Sequence, residues 1–214
     1  MLKLYARRTS SNSQKVLWFL GELGLTYQFV ATGGDAGGLD TAAYADLNPN
    51  RRVPTWQDDN GAVWESHAIL RYLAAAYAPR AWWPEAATDR SRIDRWMDWS
   101  QSGFETAFMA LFWGYWRTPE SDRDMTSIRR QIEKCRAALA ILDDALGASK
   151  FLAGDRLTLA DIPVGAMMYR YENLDVTDEL PTHVRRWYGQ LTEREPYRTH
   201  VMLSFDGLKG RLAY

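Results

Sequence analysis

Two apolar periods alternate along residues 1–78, and beyond residue 88 only one of them continues. Such a chain is constrained to an α/β unit followed by an all-α one, because side chains alternate across a strand but return every 3.6 residues on a helix. Leu2, Leu4 and Ala6 alternate with Lys3, Tyr5 and Arg7, the pattern of a half-buried strand. Val16, Leu17, Leu20 and Leu23 then share one helical face, and Gly24 stands where a left-handed cap would end the helix. Tyr27 to Ala31 reads as a second strand, and a strand, helix and strand of this length make a right-handed unit with parallel strands. Gly33, Gly34, Gly37 and Gly38 follow. They lack the Gly-Lys-Ser/Thr ending of a phosphate loop and do not open the first helix, so they read as a flexible connector.

Asn48-Pro49-Asn50 signals a turn, and Asn60-Gly61 between Thr55-Trp56-Gln57 and Val63-Trp64 signals a hairpin. Ser66 is placed to cap a helix carrying Ile69, Tyr72, Leu73 and Ala76 on one face. The order is therefore βαβ then ββα. Pro79 to Pro84, with Trp82 and Trp83 between them, reads as a stiff aromatic linker. Three longer helical patterns follow: Ile93, Trp96, Met97, Ser100 and Phe104, then Ile128 to Leu146, then a run opening at Thr158. A last amphipathic helix with Val184, Trp187 and Leu191 stops before Pro196. These patterns divide the chain into residues 1–78, a linker over 79–88 and an all-helical unit over 89–214.

The balance of 26 Lys and Arg against 27 Asp and Glu leaves a net charge of −1, which argues against nucleic acid and anionic membrane as partners. The single cysteine permits no internal disulfide, and MLKLYARRTSS has no apolar run of signal-peptide length, so a cytoplasmic protein of a reducing compartment is expected. Cys135 lies on an apolar seam and reads as a buried structural residue. His67, His183 and His200 have no zinc-ligand spacing, so neither a metal nor a triad is expected, and His67 reads as a solvent-facing first-turn residue.

The polar run Ser10-Ser11-Asn12-Ser13 before the first helix has two readings. It is a set of helix caps, or it is an anion site in which hydroxyls and free backbone N–H groups face a ligand such as a thiolate. Near the other end of the chain, Thr158 with Asp161 three residues on makes a capping box, and Leu157 with Ile162 a hydrophobic staple, both serving folding.

Four ordered motifs carry a resemblance. Ser10-x-Asn12-x-x-Lys15-Val16, Asn48-Pro49-Asn50-x-x-Val53-Pro54, Glu65-Ser66-x-Ala68-Ile69-x-x-Tyr72-Leu73 and Leu157-Thr158-Leu159-Ala160-Asp161-Ile162 together resemble the glutathione S-transferase superfamily, most of all its bacterial cytosolic members and serine-type classes. The resemblance implies a thioredoxin-like N-terminal domain, a helical-bundle C-terminal domain, a homodimer and glutathione as co-substrate without any metal. It implies a cis Val53–Pro54 bond that lets the Val53 backbone pair with the cysteinyl part of glutathione. It further implies that Glu65 and Ser66 hold the γ-glutamyl end, a role that leaves the cap reading of Ser66 open. Arg51 and Arg52 stand beside this motif, either meeting a glutathione carboxylate or solvated.

The implied reaction is detoxifying attack of glutathione thiolate on a hydrophobic electrophile. Ser10 is the first expected thiolate donor and Asn12 the second. Phe108, Phe112, Trp113 and Trp116, in an aromatic-rich stretch, offer a wall for that electrophile, although core or dimer packing is the commoner fate of such rings. No cysteine occupies the Ser10 segment, so a protein-thiol mechanism is not expected. Two alternatives stay open: disulfide or peroxide reduction by glutathione, and a non-catalytic interaction protein of the same fold.

Overall fold

Strand β1 (Lys3–Ala6) forms where the two-residue alternation predicts it, with Leu4 and Ala6 fully buried in the computed structural model, which describes residues 1–212. Residues 213 and 214, the end of the expected helical unit, lie outside the described residues. Helix α1 (Ser11–Leu23) carries the chain across to β2 (Gln28–Ala31), which pairs parallel to β1 with Lys3 opposite Gln28. Gly24, at φ 60°, ends α1 in the left-handed cap. The sheet runs β2-β1-β3-β4, with β3 (Thr55–Asp58) antiparallel to β1 and β4 (Gly61–Trp64) antiparallel to β3. Asp58 pairs with Gly61, so the two turn residues are Asp59 and Asn60, one position earlier than the Asn-Gly signal suggests. The Asp58 carboxylate, which accepts the Asn60 backbone N–H at 2.8 Å, organises that turn.

A short helix, α2 (Ala42–Leu47), was not expected; at six residues it is too brief to show a period, and Thr41 caps it. Helix α3 (Ser66–Tyr77) packs beside α4 (Ala87–Ser102), where Arg71 donates to Asp94 at 2.7 Å and Asp98 at 2.6 Å. The hydroxyls of Tyr72 and Tyr77 both donate to Asp58 at 2.6 Å. Between α3 and α4 the linker is held down, with Trp82 edge-on to Phe19 at 5.0 Å and Arg90 over Trp83 at 4.1 Å.

The pattern from Ile93 to Phe104 reads as one helix, but the chain breaks at Gly103 and restarts as α5 (Phe104–Leu111). A Cβ at Gly103 would lie 2.9 Å from the Trp99 carbonyl oxygen, so the bend needs glycine. A π-helical turn over Phe112–Arg117 follows, then α6 (Met125–Gly147), α7 (Ile162–Glu172), α8 (Thr182–Thr192) and α9 (Glu195–His200). Helix α9 lies beyond the expected stop, because Pro196 sits in its first turn, where a missing N–H costs no hydrogen bond.

Helix α7 opens at Ile162 rather than Thr158, with Asp161 in the capping position. Thr158 to Asp161 forms a turn of its own: Thr158 Oγ1 accepts from the Ala160 N–H at 3.3 Å, and Asp161 Oδ2 accepts from the Thr158 N–H at 3.0 Å. Pro163 thereby falls in the first turn of α7, which accounts for its presence. Helix α1 is the joint between the sheet and the helical unit. Its Trp18 meets Tyr197 of α9 edge-on at 4.8 Å and approaches Gly165 of α7, where a Cβ would lie 2.9 Å from the indole. Cys135 is fully buried on α6, and burial pushes its thiol up to about 12, as suits a structural residue. Among the described residues, no helix is long and apolar enough to cross a membrane.

Candidate functional site

A cavity of about 610 Å³ opens at the N-terminus of α1, between the sheet's loops and the helical unit. One wall is Thr9 to Asn12 with Gly33, Gly34 and Leu39; a second is Arg51, Arg52 and Val53; the third comes from Met109, Phe112, Trp113, Arg117 and Arg170. The glycine loop is thus part of the site. Gly33 and Gly34 take φ of 80° and 60°, which brings bare backbone to the cavity edge.

The three polar residues at the start of α1 face different environments. Ser10 is the N-cap, and its Oγ accepts the Ser13 N–H at 3.3 Å, which leaves the hydroxyl hydrogen to donate elsewhere. Ser11 is buried, with its hydroxyl directed at the Met109 sulfur at 3.8 Å. Asn12 is exposed at the cavity, and its Oδ1 accepts from Lys15 Nζ at 3.0 Å and Ser66 Oγ at 3.4 Å. Its Nδ2 is the end left for a ligand. The first-turn N–H groups of α1 have no carbonyl within the helix, and the helix dipole adds partial positive charge there.

Val53 is set by an anchored loop. The Val53–Pro54 peptide is cis, and the preceding Arg52 carbonyl accepts from Tyr44 Oη at 2.7 Å and Asn48 Nδ2 at 2.8 Å. Asn48 is buried, and it does more than mark a turn: it ties the loop to Thr55 Oγ1 at 3.0 Å. Arg51 takes a left-handed φ of 51° and donates to the Asp40 carbonyl at 3.1 Å. Glu65, at φ 70°, occupies the N-cap of α3, so Ser66 is not the cap but the first helical residue. The positive φ arises because the chain turns sharply from β4 into α3 at that point. Glu65, Ser66 and Pro54 do not line the cavity itself; Ser66 adjoins it through Asn12.

His67 is the clearest correction. It is buried, not solvent-facing, because α3 turns its first residues toward α1 and α5. There it meets Lys15 Nζ at 3.0 Å and Glu105 at 3.2 Å, while Lys15 and Glu105 form an ion pair of 2.6 Å and Ser100 Oγ donates to Glu105 at 2.6 Å. Burial would raise the Glu105 carboxyl, but the Lys15 charge and His67 outweigh it and hold it well below the usual range. Burial lowers Lys15, an effect that its pairing with Glu105 opposes without cancelling. His67 is lowered by burial first and by the Lys15 charge, so it is neutral at pH 7. A lysine inside a helix gives no sequence sign of burial, so this cluster was missed.

Of the four expected aromatic wall residues, Phe112 and Trp113 reach the cavity. Phe108 and Trp116 do not. Phe108 stacks on Phe104 at 5.8 Å in the core between α5 and α7, and Trp116 packs on Phe205 at 5.0 Å while donating to its carbonyl at 3.2 Å. Arg7, Arg117 and Arg170, distant in sequence, were also missed; Arg117 covers the Trp113 ring at 3.9 Å and Arg170 donates to the Thr9 carbonyl at 2.8 Å. Among the described residues no cluster of His, Cys, Asp or Glu is suited to hold a metal.

Residues 9–76 match the model of the glutathione S-transferase N-terminal domain, and residues 125–190 that of the C-terminal domain. Glutathione S-transferase GstB of Escherichia coli (strain K12) is 36% identical over 205 residues, covering 95% of this chain and 99% of its own. The glutathione-bound crystal structure of a theta class glutathione S-transferase from Xanthomonas axonopodis pv. citri is 44% identical, with a TM-score of 0.88 over 95% of this chain and 98% of that one. Glutathione transferase F2 from Populus trichocarpa is 26% identical, with a TM-score of 0.82 over 94% and 97% of the two chains.

Proposed function

Because the chain belongs to the glutathione S-transferase family, we propose that its cavity binds glutathione with the sulfur at the start of α1 and delivers the thiolate to an apolar electrophile. The carrying observation is the pair of donors, Ser10 hydroxyl and Asn12 amide, at the N-terminus of a 13-residue helix. A thiol of pKa about 8.5 is only a few per cent ionised at pH 7. Lowering that pKa by about two units takes about 2.7 kcal/mol of preferential thiolate stabilisation. One hydrogen bond to a charged acceptor supplies about 1.5–3 kcal/mol and the helix end about 0.3–1 more, so the proton leaves to solvent and no general base is required. The sulfur then forms its bond to the electrophile, whose leaving group departs with the electron pair or whose ring opens.

In this reading residues 1–78 form the glutathione domain and 89–214 the helical domain. The Val53 backbone pairs with the cysteinyl unit, Arg52 takes a carboxylate, and Glu65 and Ser66 hold the γ-glutamyl end just beyond the cavity. Phe112 and Trp113 face the electrophile. The functional unit is a homodimer. The helix carrying Arg71, Tyr72 and Tyr77 and the neighbouring α4 supply part of its interface.

Ser10→Ala is expected to cut turnover about 10-fold to 100-fold while glutathione affinity changes little, the worth of one charge-assisted hydrogen bond. Thiolate absorbance of bound glutathione titrated against pH checks this; an unchanged titration with full activity would remove Ser10 from the mechanism. Glu65→Ala and Ser66→Ala are expected to raise the glutathione KM about tenfold with a smaller change in kcat, because they hold the non-reacting end. Calorimetric titration decides that, and retained affinity in both variants would move the γ-glutamyl site elsewhere.

A further inference from the structure

Lys15 has only 1% of its side chain exposed, although lysine is almost never buried so fully unless its charge is used. Its ammonium donates to Glu105 Oε2 at 2.6 Å and to Asn12 Oδ1 at 3.0 Å, and faces His67 Nε2 at 3.0 Å. Glu105 comes from α5, and its other oxygen is held by Ser100 of α4 at 2.6 Å. Two helices of the helical unit therefore fix the position of an ammonium that touches a cavity residue.

Asparagine presents a carbonyl at one end of its amide and two N–H donors at the other, in nearly the same shape. Which end faces a ligand depends on what holds the opposite end. Of the two neighbours of the inner end, the Lys15 ammonium can only donate and so selects the carbonyl, while the Ser66 hydroxyl, able to donate or accept, donates to the same oxygen. A flipped amide would set its N–H groups against the ammonium and turn its carbonyl toward an anion in the cavity, losing on both sides.

We propose that Lys15 is a positioning residue for thiolate formation, acting through Asn12: it holds Oδ1 so that Nδ2 donates into the cavity, and the Ser100–Glu105 clamp holds Lys15 in place. This role rests on the reading that Ser10 and Asn12 stabilise a glutathione thiolate. It differs from a direct effect of the Lys15 charge on the sulfur, which would operate whether or not residue 12 is an amide.

The test is a double-mutant cycle read by thiolate absorbance of bound glutathione against pH, with Lys15→Met, Asn12→Ala and the combination. Lys15→Met is expected to raise the bound thiol pKa by about one unit, about threefold less thiolate at pH 7, and to lower kcat accordingly with KM changed less than about twofold. In the Asn12→Ala background the same substitution is expected to add nothing. Equal shifts in both backgrounds would overturn the proposal in favour of a direct field, and no shift in either would overturn it outright. Where Lys15→Met alone does not fold, Lys15→Met/Glu105→Leu replaces the pair by apolar groups, a change that buried pairs often tolerate, and is expected to show the same dependence on Asn12. A wild-type protein that binds glutathione without ionising it would overturn the function reading itself. That result is distinguishable, since it appears before any substitution is made.

Discussion

Glu105→Ala is expected to destabilise the protein by about 3–5 kcal/mol at pH 7, because it leaves the buried Lys15 ammonium without a counter-charge. Lys15 would keep only Asn12 and His67 as polar partners, and neither is an anion at that pH. The loss should shrink as pH rises, since burial already lowers Lys15 and a neutral amine needs no counter-charge. The wild-type protein should show the reverse trend in acid. Glu105 is depressed in the folded state, so its stabilisation is complete above the ordinary carboxylate range and is lost as pH falls below it. Urea denaturation of both proteins at pH 7 and pH 9, and of the wild type also at about pH 3, measures this. A variant within 1 kcal/mol of wild type at pH 7 would show that the ammonium is solvated or already neutral.

Asp161→Ala is expected to cost about 3 kcal/mol and to reverse one segment of the pH dependence. The carboxylate is fully buried and accepts from the Leu152 and Thr158 backbone N–H groups at 2.9 and 3.0 Å and from the Trp187 indole at 3.0 Å. Three orphaned buried donors at about 1–3 kcal/mol each outweigh the relief of removing a buried charge. That relief is real: burial pushes the Asp161 carboxyl up to about 6, against these three hydrogen bonds and a longer one from the Thr158 hydroxyl at 3.4 Å, all of which favour the anion. A carboxyl raised on folding contributes stability that is fully present below its unfolded pKa and lost as pH rises through the folded one. Wild-type stability should therefore fall through this term between about pH 4 and 6, and the variant should lack that decline. Denaturation midpoints across that range check both parts, and a parallel pair of curves would place the proton elsewhere.

The same two carboxylates mark how far the sequence could be read. Asp161 was legible because its role is local: Thr158 lies three residues before it, and Leu157 and Ile162 flank the turn. Its reach to Trp187, 26 residues on, was not legible, since no short pattern links the two. Glu105 and Lys15 are 90 residues apart, and each reads as an ordinary charge on its own helix. His67 was misread for that reason, as a first-turn position says which element holds a side chain but not what packs against it. Phe108 and Trp116 took the core packing that the aromatic stretch left open beside a cavity role. An aromatic-rich stretch is visible, but which rings turn to the cavity depends on how α5 and the π-helical turn lie on α7 and Phe205.

Local chemistry was thus determined by the sequence alone: the strand alternation of β1, the caps at Ser10 and Gly24, the Asp58–Gly61 hairpin to within one residue, and the division into an α/β part and a helical part. These depend on neighbours within about four residues, where period, turn geometry and hydrogen-bonding side chains act directly. Tertiary structure alone decided that Lys15 is buried, that Asn12 has its carbonyl engaged, and that arginines from four separate segments meet in one cavity. Burial and pairing are properties of the space between elements, and that space exists only once α1 has packed against both the sheet and the helical unit.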